Sequence, residues 1–291
     1  MHQINRGIYY EDIYLGVTLG ALVFSQGTIL IDAPLRPEDA RAWRSVLHNV
    51  RSGASRLMVS LDAHLDRTLG ARSMECTIIS HQKTAQTYRD RPVIFKGQTL
   101  ESGADWENYN DAIGTRWVSP DITFSQQILL HWGGPNVLLE HHPGPAPGAI
   151  WVIIPEEQIV FIGDAVVPDQ PPFFANADLL DWIETLELLS KSYKNYVVIG
   201  GRGGPVTQDQ VRSQMVLLKK VARQVERLAA KNASSEKTEE IIPGVLADLS
   251  FPVELQEKYT QRLRAGLYQY YTRLYRPHAS IEPADILEPL E

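Results

Sequence analysis

Residues 57–67 read Leu-Met-Val-Ser-Leu-Asp-Ala-His-Leu-Asp-Arg, an apolar run that leads directly into a polar segment. Three side chains that can bind metals, Asp62, His64 and Asp66, follow the apolar run at every second position. Successive side chains of an extended strand point to opposite faces, so residues two apart share a face. The spacing therefore predicts that the three side chains enter one pocket at the end of a strand, beside Arg67.

Four further stretches place Asp, Gly or Pro residues at predicted turns. They are Ile29-Leu30-Ile31-Asp32-Ala33-Pro34, His142-Pro143-Gly144-Pro145-Ala146-Pro147-Gly148, Val160-Phe161-Ile162-Gly163-Asp164 and Tyr196-Val197-Val198-Ile199-Gly200-Gly201-Arg202-Gly203-Gly204-Pro205. Each motif alone is weak evidence, and their order along the chain is the more specific signal.

Together with residues 57–67, these stretches resemble the ordered motifs of the metallo-β-lactamase superfamily, whose first motif reads His-x-His-x-Asp-His. The resemblance covers roughly residues 10–206 and implies an α/β fold, the four-layered αββα sandwich, with the site on loops at one edge. It also implies two neighbouring metal positions that share one aspartate. The expected chemistry is hydrolysis of an ester, thioester, lactone or phosphoester.

Carried over position by position, the family's seven ligand places fall on Asp62, His64, Asp66, Arg67, Pro145, Asp164 and Arg202. His64, Asp66 and Asp164 keep the family's residue types, and Asp62 replaces a histidine with another possible ligand. The two arginines and the proline cannot coordinate a metal through their side chains. The resemblance therefore predicts the fold and leaves the activity open.

The two metal positions differ in the ligands that they retain. The first keeps Asp62, His64 and Asp164, a set that suits Zn²⁺, Fe²⁺ or Mn²⁺. The second keeps Asp66 and Asp164 but meets the permanent charges of Arg67 and Arg202, which repel a second metal. We therefore expect either no cofactor or one divalent metal.

The same charges suggest a metal-free solution, because guanidinium groups pair with carboxylates in a bidentate manner. We hypothesise that Arg67 and Arg202 replace the second metal in an internal ion-pair cluster. One function is then that of a non-catalytic or ligand-binding homologue. The alternative is a mononuclear metal-dependent hydrolase, in which Asp66 is the catalytic proton acceptor and the two arginines bind an anionic small molecule.

Several of these residues also have a structural interpretation. His64 could be a hydrogen-bonded pocket histidine, and Asp164 could be only a turn or helix cap. Asp32 is more typical of an acceptor that anchors a loop than of a catalyst. His142 lies close enough to Pro145 to serve as a replacement ligand if that loop is shifted. Residues 169–175 are predicted to form a lid or a pocket wall, or a rigid surface loop.

Composition limits the kinds of partner and the cellular compartment that we expect for this protein. The 291 residues are 44% hydrophobic, enough for a large core, and the net charge of -7 gives no electrostatic footprint for nucleic acid. The single cysteine, Cys76, excludes an intramolecular disulfide and fits a reducing compartment. Residues 1–6 do not resemble a signal peptide, and no apolar run approaches the roughly 20 residues of a membrane span. We expect a cytoplasmic protein with no nucleic-acid or membrane partner.

Periodicity predicts the order of the elements. The first half has strands over residues 16–24, 27–31, 56–61 and 76–80, with helices over 37–50, 68–74 and 81–89. A polar, irregular segment over residues 98–110 precedes four strands over 122–131, 136–140, 149–154 and 158–162.

Beyond residue 205 the pattern becomes helical. Thr207 and Gln210 form a capping-box pattern ahead of a helix that ends near residue 230, and a second helix covers residues 254–275. This divides the chain into a metallo-β-lactamase-like domain, residues 1–206, and a helical C-terminal extension, residues 207–291. The aromatic stripe of the second helix is predicted to pack on the sandwich, and the alternative is a homodimer interface.

Overall fold

Two β-sheets form the centre of the computed structural model, which describes residues 1–50, 55–91, 94–95 and 113–276. Within these ranges, the first sheet contains seven strands in chain order: β1 (His2–Asn5), β2 (Ile8–Glu11), β3 (Leu19–Phe24), β4 (Gly27–Ile31), β5 (Ser55–Val59), β6 (Thr77–His81) and β7 (Ile122–Phe124). The second has six: β8 (Gln127–Leu130), β9 (Val137–His141), β10 (Ile150–Ile154), β11 (Ile159–Phe161), β12 (Val197–Ile199) and β13 (Pro205–Val206), which lie side by side from β13 to β8.

The α-helices of the described ranges flank these sheets. They are α1 (Pro37–Val50), α2 (Gln82–Arg89), α3 (Leu179–Ser192), α4 (Gln208–Ala230), α5 (Ile242–Leu246) and α6 (Gln256–Tyr275). Short 3₁₀ helices cover Leu65–Arg67 and Leu69–Met74, and only the second lies within the short helix predicted over residues 68–74.

Three buried apolar clusters separate the layers. One cluster fills the space between the sheets, where Leu22 and Val59 of the first sheet meet Val152 of the second. Another joins α1, through Trp43, to the outer face of the first sheet. The third joins α3, α4 and α6 to the outer face of the second sheet, around Trp182. This confirms the predicted αββα sandwich with a helical C-terminal region.

Strand β10 shows how the sequence encodes this layering. Its five residues, Ile150–Ile154, are all buried. Ile150, Val152 and Ile154 belong to the cluster between the sheets, whereas Trp151 and Ile153 belong to the cluster beneath the helices. A strand covered on both faces needs a continuous apolar run rather than an alternating one.

Parallel strand pairs bring the site loops to one edge. β4 pairs with β5 in parallel, and β11 pairs with β12 in parallel, so the loops that follow each pair leave the sheet on the same side. Direct backbone hydrogen bonds join the two sheets there, from Ile150 N to Leu61 O at 2.9 Å and from Thr18 N to Gly201 O at 2.8 Å. The loops after β4, β5, β11 and β12 therefore meet at a single edge of the sandwich.

The predicted strand over residues 122–131 is wrong, because β7 and β8 belong to different sheets. The chain crosses between the sheets at Ser125 and Gln126, and apolar periodicity continues across such a crossing without a break. The sequence also missed β1, β2 and α3. Helix α3 carried a signal, since the Asp178 carboxylate caps it by accepting hydrogen bonds from the backbone N–H groups of Leu180 and Asp181. The irregular segment predicted over residues 98–110 lies outside the described residues.

The C-terminal helices pack on the second sheet. The capping box of Thr207 and Gln210 begins α4 as predicted. In α6, Leu267 and Tyr271 are buried in the same cluster as Trp182 of α3 and Val198 of β12. The homodimer interface and the division at residue 206 stay predictions. No helix in the described ranges is long and apolar enough to cross a membrane.

Candidate metal centre

Asp62, His64 and Asp164 come together at the edge where the two sheets meet. His64 Nδ1 lies 3.0 Å from Asp62 Oδ2 and 3.6 Å from Asp164 Oδ2. One ligand atom from each residue lies within 4.8 Å of the other two. Gly163 adopts a φ of +57°, a left-handed conformation that favours glycine, and so turns the chain from β11 into Asp164. The three residues expected at the first metal position are therefore adjacent.

The segment from Asp62 to Asp66, which the sequence predicted to be extended, forms a turn instead. The Asp62 carboxylate accepts a hydrogen bond from His64 N at 2.8 Å, which bends the chain directly after β5. The 3₁₀ helix Leu65–Arg67 follows. This turn carries Asp66 away from the Asp62, His64 and Asp164 group and towards Arg202, with which the Asp66 carboxylate forms an ion pair.

Arg67 is fully buried among carboxylates, with an exposed fraction of 0%. Its Nη1 donates to Asp32 Oδ2 at 3.2 Å, its Nη2 donates to Asp164 Oδ1, and its Nε lies 3.4 Å from Asp62 Oδ1. The guanidinium is thus enclosed by three aspartates. A role for Arg67 in binding substrate stays a prediction, and this geometry gives it a charge-balancing position instead.

Arg202 occupies the corresponding place on the loop after β12, and 3% of it is exposed. Its Nε donates to Asp164 Oδ2 at 3.1 Å, and its Nη1 donates to Gly16 O at 2.8 Å and to Asp66. Arg202 therefore stands between Asp66 and Asp164. The role of Asp66 as a proton acceptor stays a prediction, and its carboxylate is held by a guanidinium.

Gly201 leaves room for this arrangement. A Cβ atom at Gly201 would lie 2.7 Å from Arg67 Nη1 and 2.8 Å from Asp164 Oδ1. Such distances are shorter than ordinary contacts, so a side chain here would displace the Arg67–Asp164 pair. The motif around Arg202 therefore needs glycine at this position for reasons of space.

Asp32 belongs to the ion-pair cluster, although the sequence predicted that cluster without it. Its Oδ1 accepts a hydrogen bond from Leu61 N at 2.9 Å, which confirms its predicted role as a loop anchor. Its Oδ2 also accepts from Arg67, so Asp32 adds a fourth carboxylate to the cluster. Burial raises the pKa of Asp32 to about 7, although Arg67 opposes the shift. Strand pairing between β4 and β5, which the sequence alone does not show, brings Asp32 beside Arg67.

Burial and charge act in opposite directions on the other carboxylates. Burial favours a higher pKa for Asp62, but Arg67 and His64 outweigh it and hold the pKa below its ordinary value. The pKa of Asp164 is also lowered, because Arg202 and Arg67 outweigh its burial. Burial favours a lower pKa for His64, but Asp62 and Asp164 outweigh it and raise the pKa. Both carboxylates are therefore ionised near neutral pH.

Two buried ligand atoms have no hydrogen-bond partner among the described residues, namely Asp62 Oδ2 and His64 Nδ1. They lie 3.0 Å from each other, in the same loop after β5. With metal–ligand bonds of about 2.0–2.2 Å, two donors on one tetrahedral ion lie roughly 3.3–3.6 Å apart. The separation of 3.6 Å between His64 and Asp164 lies in that range, and the separation of 3.0 Å between His64 and Asp62 is slightly shorter. Asp62, His64 and Asp164 therefore form a group that could hold a metal ion.

The remaining predicted site residues lie around this centre. His142 stacks on Trp151, with ring centroids 3.8 Å apart, and its Nε2 lies 3.3 Å from Glu140 Oε2, so it does not replace a ligand. In the segment 169–175, Phe174 is buried in the cluster beneath the helices. Phe173 faces the site instead, with its ring centroid 5.4 Å from that of His64.

Comparison with known proteins gives the same fold. Residues 74–202 match the family model described as the metallo-β-lactamase superfamily, a range that includes Asp164 and Arg202 but begins after the Asp62–Arg67 motif. A search of curated proteins found no match.

Solved structures extend the likeness to most of the chain. The stereoselective inverting sec-alkylsulfatase Pisa1 from Pseudomonas sp. is 14% identical with a TM-score of 0.71, over 97% of this chain and 52% of the alkylsulfatase. A metallo-β-lactamase from Pontibacter korlensis is 17% identical with a TM-score of 0.57, over 73% of this chain and 93% of that protein. The chain thus spans about half the length of the alkylsulfatase, and identities this low establish the fold alone.

Proposed function

We propose that this chain, whose residues 74–202 match the metallo-β-lactamase superfamily, is a homologue in which Arg67 and Arg202 replace the second metal, so that it lacks dinuclear hydrolysis and binds a ligand. One observation carries the proposal. Both guanidinium groups contact Asp164, which stands at the place of the aspartate that the two metals share in the family.

A second metal beside Asp164 would be attracted by aspartate oxygens and repelled by the two guanidinium groups. The aspartate oxygens that would attract it already accept hydrogen bonds from guanidinium groups. Guanidinium offers no lone pair, and its charge is permanent. Two fixed cations beside Asp164 therefore disfavour a further cation strongly, because the site is buried and poorly screened.

The ligand that fits this site is a small anion. Arg202 Nη2 is buried without a hydrogen-bond partner among the described residues. A guanidinium N–H that lacks a partner is a strong donor to a carboxylate or other anionic oxygen. Arg202 and His64 both contact the Phe173 ring, and 22% of the His64 side chain is exposed.

The unpartnered atoms of Asp62 and His64 favour a second candidate, a hydrolase with one metal. Asp62, His64 and Asp164 would hold the ion, which would act as a Lewis acid and make bound water more acidic. In this candidate Arg202 orients the anionic group of the substrate. Asp66, paired with Arg202, is the nearby carboxylate proposed to accept a proton.

Metal content per chain tests both candidates. Protein purified without an affinity tag is analysed by plasma mass spectrometry before and after incubation with Zn²⁺, Mn²⁺ or Fe²⁺, in parallel with His64→Ala. His131→Ala is a matched control, because His131 is exposed and bonds to Asn136. We expect at most one metal per chain, and two metals would overturn the arginine substitution.

Turnover and ligand binding then separate the two candidates. A mononuclear hydrolase is expected to lose its metal and its hydrolysis of ester and phosphoester probes in His64→Ala and in the presence of a chelator. A ligand-binding homologue is expected to bind inorganic phosphate or acetate regardless of chelator, and to lose that binding in Arg202→Met.

A further inference from the structure

Phe173 lies beside His64, one of the predicted ligands, and its ring contacts two arginines. The Cζ atom of Arg202 lies 4.8 Å from the Phe173 ring centroid, and the His64 ring lies 5.4 Å away. The Cζ atom of Arg262, in α6, lies 4.1 Å from the same centroid. Phe173 is therefore the side chain through which the C-terminal helix reaches the site.

Arg262 also fixes the backbone on which Phe173 stands. Its Nη1 donates to Gln170 Oε1 at 2.8 Å and to Pro171 O at 3.1 Å. Only 2% of Arg262 is exposed, and Tyr259 supports the guanidinium from the same helix, with its ring centroid 5.0 Å from Cζ. A buried arginine with this set of contacts holds a defined conformation of residues 170–173.

The rest of α6 holds the following residues of the segment. Arg273 Nη2 donates to Ala177 O at 2.5 Å. A Cβ atom at Gly266 would lie 3.3 Å from Phe174 N, so the helix backbone approaches the segment closely. The segment is thus fastened to α6 along its length, whereas Phe173 itself stays half-buried and only partly packed against the cluster of Leu35, Leu65, Leu69 and Phe95.

We propose that Phe173 is the gate of the site and that Arg262 is the positioning residue that keeps it closed over His64 and Arg202. The proposal rests on the proposed function in that the gate controls entry of the anion or the metal. The cation–π interaction between the buried Arg262 guanidinium and the Phe173 ring stabilises the closed position, and Arg262 lies outside the site. The C-terminal helix α6 thereby sets how fast a ligand reaches the donor atoms.

The rate at which diethyl pyrocarbonate modifies His64 tests the gate in metal-free protein. Peptide mass spectrometry follows His64 separately from the other histidines. We expect Phe173→Ala and Arg262→Met each to raise the His64 rate about 10-fold, the size of effect that loss of a desolvated cation–π contact allows. Ratios measured at two pH values separate access to His64 from a change in its basicity.

Matched variants on the same elements provide the controls. Arg264→Met makes the same chemical change two residues away, where Arg264 pairs with Glu239 on the surface, and should leave the His64 rate unchanged. Arg262→Lys retains the charge and should give an intermediate rate. Thermal melting identifies any variant that fails to fold, and Phe173→Ala tests the gate independently of the more deeply buried Arg262.

Two results would overturn the proposal. An unchanged His64 rate in folded Phe173→Ala would show that Phe173 is no gate. A raised rate in Phe173→Ala together with an unchanged rate in folded Arg262→Met would show that α6 does not hold it. Neither result depends on whether the protein binds a metal or an anion, so the gate and the proposed function can fail separately.

Discussion

Arg67 and Asp164 form a buried ion pair between loops that are 97 residues apart in the chain. Arg67 follows β5 of the first sheet, and Asp164 follows β11 of the second, so the pair links the two halves of the sandwich at the site edge. Asp32 and Asp62 share the same guanidinium. Because Asp164 is also a predicted metal ligand, a substitution that breaks this pair should affect both the stability of the fold and the site.

Arg67→Met is expected to destabilise the protein strongly. The substitution removes the guanidinium, so Asp32 loses its buried ion-pair partner, while Asp164 keeps Arg202 and Asp62 keeps His64. Breaking a buried ion pair in this way typically costs about 3–5 kcal/mol. Urea unfolding followed by circular dichroism measures the change. Arg212→Met is the control, because Arg212 pairs with Asp209 on the surface and should change stability little. Equal losses in the free energy of unfolding would mean that the buried ion pairs of Arg67 stabilise the protein no more than a surface pair does.

Restoring histidines is expected to restore a second metal. In the double variant Arg67→His with Arg202→His, two imidazoles replace the two fixed charges, while Asp66 and Asp164 remain as ligands. Metal analysis after Zn²⁺ loading should then show one metal more per chain than the unmodified protein binds. Arg44→His with Arg264→His adds two histidines on the surface and should gain none. A double variant that folds and gains no metal would refute the simple replacement of metal by arginine.

The sequence predicted the residues of the site better than their arrangement. Ordered motifs identified Asp62, His64, Asp164 and Arg202, because ligand types and turn glycines are local features. The partnership of Asp32 with Arg67 depends on β4 lying beside β5, which no local pattern reports. Alternation along an extended strand gave the wrong path for Asp66, since the Asp62 side chain bonds to the backbone and bends the chain.

The same distinction applies to the fold. Apolar periodicity predicted α1 and α4 with their ends, because caps and helical spacing lie within the elements themselves. It merged β7 with β8, because the assignment of a strand to one sheet or another is a tertiary property. The contact of Arg262 with Phe173 joins residues 89 positions apart and likewise has no signature in either segment.

Gly201→Ala is expected to destabilise the site by crowding. Its methyl group would lie within 2.7–2.8 Å of Arg67 and Asp164, and overpacking of this kind typically costs about 1–3 kcal/mol. Urea unfolding and metal loading should both be affected. Gly244→Ala in α5 is the matched control, since the nearest atom there is Lys220 Nζ at 3.7 Å and alanine favours a helix. Unchanged stability in Gly201→Ala would show that the arginine cluster shifts at no cost.

The stability of the protein is expected to fall in mild acid partly through the stacked pair His81 and His141. Their rings lie 3.8 Å apart and nearly parallel. Burial lowers the pKa of both residues, and the charge of Lys83 lowers both further. Hydrogen bonds to Ser125 O at His81 and to Pro147 O at His141 oppose the shift, as does the charge of Asp181 at His141. His81 Nδ1 also accepts the hydrogen bond from Lys83 N that caps α2, and a proton on that atom would break it.

A lowered histidine pKa means that the unfolded chain binds protons more readily than the folded protein. The contribution of the pair is therefore complete above the ordinary histidine pKa of about 6.5 and is lost as the pH falls towards the lower folded value. Urea unfolding measured from about pH 8 to about pH 5 should show a shallower decline for His81→Asn than for the unmodified protein. Asparagine keeps an acceptor for the helix cap and does not titrate, whereas His131→Asn, on an exposed loop, should leave the decline unchanged. Parallel declines in His81→Asn and the unmodified protein would assign the acid sensitivity to other groups.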